Sequence, residues 1–360
     1  MTLPAVERAI QSALAATRLA TEPAGGAAAD LLDQLEAVAS GGKRLRAQLL
    51  LASHAAHGGL AEGAVGRESA VNVAAAIELF QTAALVHDDV LDAAQTRRGR
   101  PTIHRALAAQ HQDRGWTGDA EHFGTSGAIL AGDLALMASH RALGRGAALA
   151  NPHASDTVMA LFLDMADLCT AGQFLDMELA ARPLDEVAEQ GDQILAVMRS
   201  KTASYTAEFP LALGAACADA SADQIAAMRA VGVPLGIAFQ LRDDVLGLVG
   251  RPEVTGKPSG DDVREGKRTQ LIAYAWAHGD AHTRAILAST VGNSGASPAQ
   301  LADAVAAIEE TGAVIEAEVH IANYTREASS ALASAEQALA DGDGRLELER
   351  LIAATTSRLA

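Results

Sequence analysis

The chain has 360 residues, of which 49% are hydrophobic, 20% charged and only 3% aromatic. A sizeable core can be buried, and intrinsic disorder is excluded. The net charge of -17, from 45 acidic and 28 basic residues, repels phosphate backbones and argues against nucleic-acid binding.

Two cysteines, Cys169 and Cys217, make neither a disulfide scaffold nor a zinc cage. Glu7 and Arg8 interrupt the N-terminal segment, which has no apolar signal core, so a cytoplasmic location is expected. The abundance of alanine favours close-packed helices over a β-sandwich. Only four lysines occur, Lys43, Lys201, Lys257 and Lys267, which leaves 24 arginines among the 28 basic residues. Lysine and arginine are not interchangeable where geometry matters, so the four lysine positions merit separate attention.

In chain order, the first unusual segment is Gly41-Gly42-Lys43-Arg44-Leu45-Arg46, three cations behind a glycine pair. A helix is predicted next, with its apolar stripe on Val71, Ala75, Leu79, Val86 and Val90. Glu78 and Gln81 break its apolar run, so no membrane span is expected there. This helix ends in His87-Asp88-Asp89-Val90-Leu91-Asp92. Asp88 and Asp92 are four residues apart and so share a face, where two carboxylates repel unless a cation lies between them. Hard oxygen donors of this kind suit Mg²⁺, which takes one or two carboxylates and completes its shell with phosphate oxygens.

Arg97-Arg98-Gly99-Arg100-Pro101 follows, in the first of four predicted loops: Arg97–Thr102, Gln110–Ser126, Gly250–Lys267 and Gly292–Pro298. Further helical stripes run through Met159, Phe162, Met165, Ala166 and Cys169, and through Val231, Leu235, Ala238, Leu241 and Val245. Pro210 and Pro234 mark kinks or helix starts. Lys201-Thr202 lies between these stripes. Phe239-Gln240-Leu241-Arg242-Asp243-Asp244-Val245-Leu246-Gly247 repeats the paired aspartate, but with Gly247 at the position four residues after Asp243. Gly256-Lys257-Pro258-Ser259-Gly260-Asp261-Asp262 and Lys267-Arg268 close the series. Islands of cations beside glycine, in so acidic a chain, point to anion pockets. No period-two strand pattern, repeat or linker stands out, and one all-helical domain over residues 1–360 is expected.

Taken together, GGKRLR, HDDVLD, RRGRPT, GDLAL, GQFLD, KTASY, FQLRDD and GKPSGDD resemble the trans-isoprenyl diphosphate synthases of the polyprenyl synthetase family, across residues 41–271. The resemblance implies an all-α fold: a single bundle of long helices around a deep apolar cavity, in a homodimer. It implies Mg²⁺ on Asp88, Asp92 and Asp243. Arg97, Lys201, Lys257 and Lys267 match the cations that grip an allylic diphosphate. Lys43, Arg46 and Arg98, with Gln81, match those that hold isopentenyl diphosphate. Carbonyls near Lys201, Thr202 and Gln240 are placed to stabilise an allylic cation.

The implied reaction is head-to-tail prenyl transfer. Ala83 and Ala84, with Phe80 about one turn or ~4.5 Å deeper than Ala83, suggest geranylgeranyl diphosphate as product, Ala83 facing the growing chain. Farnesyl or longer products are the alternatives. Gly247 is read as a tolerated variant, with Gly247→Asp expected to be mild. Rival readings are a class I terpene cyclase, which should lack GGKRLR, a phosphohydrolase built on His87-Asp88 with His54 and His57, and a non-catalytic subunit.

Overall fold

The computed structural model describes residues 3–59, 66–250, 260–340 and 342–356, the side chain of Ala338 excepted. Helices dominate the described residues. The strands among them are a two-residue antiparallel pair, β1 (Thr96–Arg97) and β2 (Arg100–Pro101), with Arg97 opposite Arg100. The all-α class read from the sequence is therefore the class observed. The chain folds as two compact units, Met1–Ala160 with Leu213–Ser221, and Leu161–Ala212 with Ala222–Ala360.

The first unit holds α1 (Leu3–Thr21), α2 (Gly26–Ala39), α3 (Leu45–Ala56), α4 (Arg67–Leu91), α5 (Ile103–Asp113) and α6 (Ala120–Ala148). Its central pair is α4 against α6. The buried side of α6 is a row of small residues, Ala128, Ala131, Ala135, Ala138 and Ala142. Alanine is the best helix former and lets two axes approach closely. Ser139 sits in the same row, and its hydroxyl donates to the Ala76 carbonyl of α4 at 2.7 Å. The loop predicted over Gln110–Ser126 is shorter than expected, because α5 runs to Asp113 and α6 starts at Ala120. Asp119 caps α6, its Oδ1 accepting from the backbone of Glu121 at 2.9 Å, and this capping oxygen is what lets a helix begin in so polar a stretch.

The chain leaves the first unit within α7 (Pro152–Ala181). The second unit contains α8 (Gly191–Val197), an eleven-residue π-helix (Met198–Glu208), α9 (Phe209–Cys217) as far as Ala212, and α10 (Ala222–Val249). It continues with α11 (Asp261–Glu265), α12 (Gln270–His278), α13 (Ala281–Thr290), α14 (Pro298–Glu310), α15 (Ala313–Ala335) and α16 (Gly342–Thr356). Its core joins Leu241, Val245 and Leu248 of α10 to Leu271 and Ile272 of α12, Ile308 of α14 and Ile321 of α15. The predicted stripe Val231, Leu235, Ala238, Leu241 and Val245 is buried throughout. Pro234 lies inside α10, and Pro210 stands where the π-helix Met198–Glu208 passes directly into α9.

Three helices, α4, α7 and α10, are long and apolar enough to cross a membrane by length and composition. Those two properties do not support the expectation that a span is excluded. In α4, however, 72% of the apolar window is packed inside the protein, and Glu78 within it is ion-paired to a buried arginine.

A buried histidine marks the end of α3. The His54 ring fills the space over Gly59, where a Cβ would lie 1.9 Å from its Cε1. Burial, its largest cause, lowers the His54 pKa to about 4, and burial lowers that of His57 too. A base with a depressed folded pKa binds fewer protons folded than unfolded, so stability is full above the unfolded value and is lost as pH falls from about 6.5 to about 4. We expect His54 to account for about 3 kcal/mol of acid destabilisation across that window. Denaturant titrations at several pH values should show a flatter acid limb in His54→Leu than in the parent; identical slopes would contradict this.

Candidate functional site

The carboxylate pair sits where α4 ends. Asp88 lies in the last turn, and Asp92 is the C-cap residue, its N–H donating to the Asp88 carbonyl at 2.8 Å. Both are half-buried, whereas Asp89, between them, is only 4% exposed. Two like charges at the negative end of a helix dipole are unfavourable without a counter-charge. The short hairpin supplies one. Ala93 and Arg98 adopt positive φ, and Thr102 bonds back to the carbonyls of Gln95 and Ala94. The turn brings Arg97 beneath the helix end, with Nε donating to Asp89 Oδ1 at 2.6 Å and Nη2 at 3.6 Å from Asp88. Burial opposes the Arg97 charge, but Asp89, then Asp88 and Asp92, more than compensate and raise its pKa. Asp89, which the sequence reading left without a role, is thus the brace of Arg97.

The other predicted residues of this unit lie on the loop before α3 and its first turn, on α4 and in the hairpin after it. Lys43 is exposed and Arg46 half-buried, while Arg44 between them turns inward. Arg98 lies over Gly42, where a Cβ would meet its Nη2 at 3.4 Å. Arg98 and the Gly42-Lys43 segment are therefore neighbours, as their shared assignment requires. Gln81 lies seven residues before Asp88, two turns back on the same side of α4. Its Oε1 is buried without a hydrogen bond among the described residues. His87 faces α6 instead, with Nε2 3.2 Å from the Ile129 carbonyl.

The chain-length residues fall unevenly around α4. At 100° per residue, Ala84 is about 40° from Asp88, Phe80 about 80° and Ala83 about 140°. Ala84 is half-buried, and Ala83 is wholly buried. Phe80 lies between the two alanines, about 40° from Ala84 and about 60° from Ala83, so both flank it.

In the second unit, Lys201 and Thr202 lie in the π-helix, a form often found at functional sites. Three residues on one side of α7 hold this segment. The Cys169 thiol donates to the Lys201 carbonyl at 3.4 Å. Gly172 admits the backbone, since a Cβ there would be 2.4 Å from the Lys201 nitrogen. Asp176 Oδ2 accepts from Lys201 Nζ at 2.5 Å. Lys267 is braced in the same manner, by Asp262 at 3.2 Å and Glu265 at 2.8 Å. Lys257 lies outside the described residues.

Asp243 is exposed on α10, whereas Asp244 is buried and accepts from Gln240 Nε2 at 2.6 Å. Burial first, then the Asp262 charge, raises the Asp244 pKa well above the usual carboxylate range. Gly247 is not an open position. A Cβ there would lie 2.2 Å from Asp262 Oδ2, so the carboxylate of Asp262 already occupies that space. The expectation that Gly247→Asp is mild in turnover stands apart from its effect on folding, where the Asp262 carboxylate must first turn aside. We expect Gly247→Asp to displace Asp262 and to set a third carboxylate beside Asp244, at a cost of about 1–3 kcal/mol. The loss should shrink as pH falls; a melting temperature equal to that of the parent at pH 8 would refute the steric reading.

Among the described residues no group of three or more His, Cys, Asp or Glu side chains forms a metal-binding set. The donors present do fit Mg²⁺ of the substrate-bridged kind: Asp88 and Asp92 offer hard oxygens one turn apart, which is the protein share such an ion usually takes. The histidine ligands that a His87-based hydrolase would need do not gather either, since His54 and His57 belong to the far end of α3.

Comparison with known proteins agrees with this arrangement. The polyprenyl synthetase family model matches residues 29–308, across both units. The geranylgeranyl diphosphate synthase of Saccharolobus solfataricus is 33% identical over 254 residues, 71% of this chain and 68% of that one. The geranylfarnesyl diphosphate synthase of Aeropyrum pernix is 34% identical over 242 residues, 67% and 68% respectively. The crystal structure of geranylgeranyl pyrophosphate synthase from Corynebacterium glutamicum, complexed with isoprenyl diphosphate and magnesium, superposes with a TM-score of 0.90 at 35% identity, covering 98% of each chain. The chain belongs to the polyprenyl synthetase family.

Proposed function

We propose that this protein is a Mg²⁺-dependent prenyltransferase that joins an allylic diphosphate to isopentenyl diphosphate, head to tail, and makes geranylgeranyl diphosphate. The observation that carries the reading is the end of α4, where Asp88 and Asp92 sit against an arginine held by Asp89. In the reaction the allylic C–O bond breaks and diphosphate leaves with its electron pair. The allylic cation takes the double bond of isopentenyl diphosphate to form the new C–C bond, and a proton is lost to the departing diphosphate.

Asp88 and Asp92 in the first unit, and Asp243 in the second, are the proposed Mg²⁺ ligands, the ion supplying charge neutralisation on the leaving diphosphate. Arg97, Lys201, Lys257 and Lys267 bind the allylic diphosphate. Lys43, Arg46, Arg98 and Gln81 bind isopentenyl diphosphate. The carbonyls of Lys201 and Thr202 and the Gln240 side chain face positive charge as it develops. Apolar walls exclude water from the cation. α4 and α10, whose apolar windows are 72% and 56% buried, are assigned to the enzyme's own interior.

We assign the protein to a homodimer in the cytoplasm. Exposed Phe123, Leu130 and Met137 recur every seven residues along α6 and give a second copy an apolar side to cover. Both cysteines are buried, and a chain with only two builds no disulfide framework, which suits a reducing compartment.

Incubation with Mg²⁺, isopentenyl diphosphate and each allylic primer, followed by product sizing, tests the reading. No product with any primer would favour the non-catalytic subunit, and a cyclised hydrocarbon the cyclase. Asp88→Asn and Asp92→Asn should each lower kcat on the order of a hundredfold or more, with unchanged melting; full turnover in EDTA would remove the metal from the proposal. For chain length, Ala83→Phe should shorten the product towards farnesyl diphosphate and Phe80→Ala should lengthen it. Unchanged lengths in both would place the floor on another helix.

A further inference from the structure

Among the three cations that follow the glycine pair, Arg44 differs from its neighbours. Lys43 and Arg46 are exposed or half-exposed, as ligands of a soluble anion must be, but Arg44 is 8% exposed. It occupies the left-handed region, φ 51°, which is uncommon for a side chain of this size. That conformation is held by the guanidinium fork. Nε donates to Glu7 Oε1 at 2.7 Å and Nη2 to Glu7 Oε2 at 3.1 Å, a two-pronged grip on α1. Nη2 also donates to the Ala39 carbonyl at 2.7 Å, the last residue of α2. Nη1 reaches Glu78 Oε2 of α4 at 3.4 Å. The other oxygen of Glu78 accepts the Ala47 N–H in the first turn of α3 at 3.0 Å. One side chain thus ties the loop to α1, α2 and α4, and through Glu78 to the start of α3.

The residues fixed by this tie are those assigned to the second substrate. Lys43 and Arg46 flank Arg44, Gly42 lies under the Arg98 guanidinium, and Gln81 is one turn past Glu78 on α4. A bidentate arginine–carboxylate pair fixes direction as well as distance, and a flexible glycine pair needs such a fixed point if two cations are to converge on one diphosphate.

We propose that Arg44, gripped by Glu7 and Glu78, is a positioning residue for isopentenyl diphosphate, so that the N-terminal helix α1 sets the affinity of that substrate. The proposal rests on the assignment of Lys43, Arg46 and Arg98 to isopentenyl diphosphate. Arg44 touches no substrate and acts through its neighbours. Loss of the grip should therefore weaken one substrate selectively and leave the chemistry at Asp88 intact.

The test compares Glu7→Gln, Glu7→Asp and Arg44→Lys with Lys43→Ala, by steady-state kinetics in both substrates and by calorimetric binding of isopentenyl diphosphate alone. Arg44→Lys keeps the charge but loses the fork. Glu7 is 39% exposed at its side chain, so its substitution is tolerable should Arg44→Lys fail to fold. We expect Glu7→Gln to raise the KM for isopentenyl diphosphate by about tenfold, with kcat and the allylic KM changed by less than about twofold. Binding should weaken in parallel, and Glu7→Asp should restore part of the loss. A selective rise in Lys43→Ala with no change in Glu7→Gln would overturn the inference while leaving the loop assignment standing. Equal rises in both KM values would also overturn it, as general loosening. No rise in Lys43→Ala would fall on the loop assignment itself and overturn both.

Discussion

Two carboxylates one turn apart, at the carboxyl end of a largely buried helix, are the arrangement on which the first unit depends. The helix dipole and mutual repulsion both oppose Asp88 and Asp92. Their tolerance has a local cause: the hairpin after α4 doubles back within ten residues and places the Arg97 guanidinium against Asp89 and Asp88. The same geometry that makes the aspartates tolerable leaves a site whose acceptors and donors suit a metal-bound diphosphate. Stability and ligand chemistry therefore share one constraint, and the positive φ values at Ala93 and Arg98 are where the backbone meets it.

The second unit follows the same logic with different residues. Lys201 is held by Asp176, and Lys267 by Asp262 and Glu265. Pairs this close to solvent add little to folding, commonly under about 1 kcal/mol. Their effect is orientation: a lysine stem has several free rotors, and a fixed carboxylate reduces the states to be lost when an anion arrives. In a chain of net charge -17 an anionic substrate is repelled at long range. Local cations fixed in direction offset this where screening lets near charges dominate.

What could be read from the sequence was what has a short period or a fixed spacing. The stripe on α10 and the shared side of Asp88 and Asp92 follow from 3.6 residues per turn, and both are present in the fold. The braces were not legible. Glu7 and Arg44 are 37 residues apart, Lys201 and Asp176 are 25 apart, and no local pattern announces either pair. Gly247 illustrates the limit most clearly. Against a motif it looks like a missing carboxylate, yet the space it leaves is filled by Asp262, fifteen residues on. The polar stretch 110–126 has the composition of a loop, and the start of α6 within it rests on a cap, Asp119, that shows only as a hydrogen bond.

Product length is the property least tied to the fold. Relatives at 33% and 34% identity carry the names of geranylgeranyl and geranylfarnesyl diphosphate synthases, which differ by one isoprene unit. A helix advances about 4.5 Å in three residues, close to the length of that unit, so one side chain of changed bulk suffices to move the floor by one step. Counting back from the aspartates does not identify that side chain, because each residue also turns by about 100°. Ala83 and Ala84 are adjacent in sequence and identical in size, but one is wholly buried and the other half-buried on the side of Asp88. Angle about α4 as well as distance along it therefore bears on which side chain sets the floor, and one substitution there can change product without changing fold.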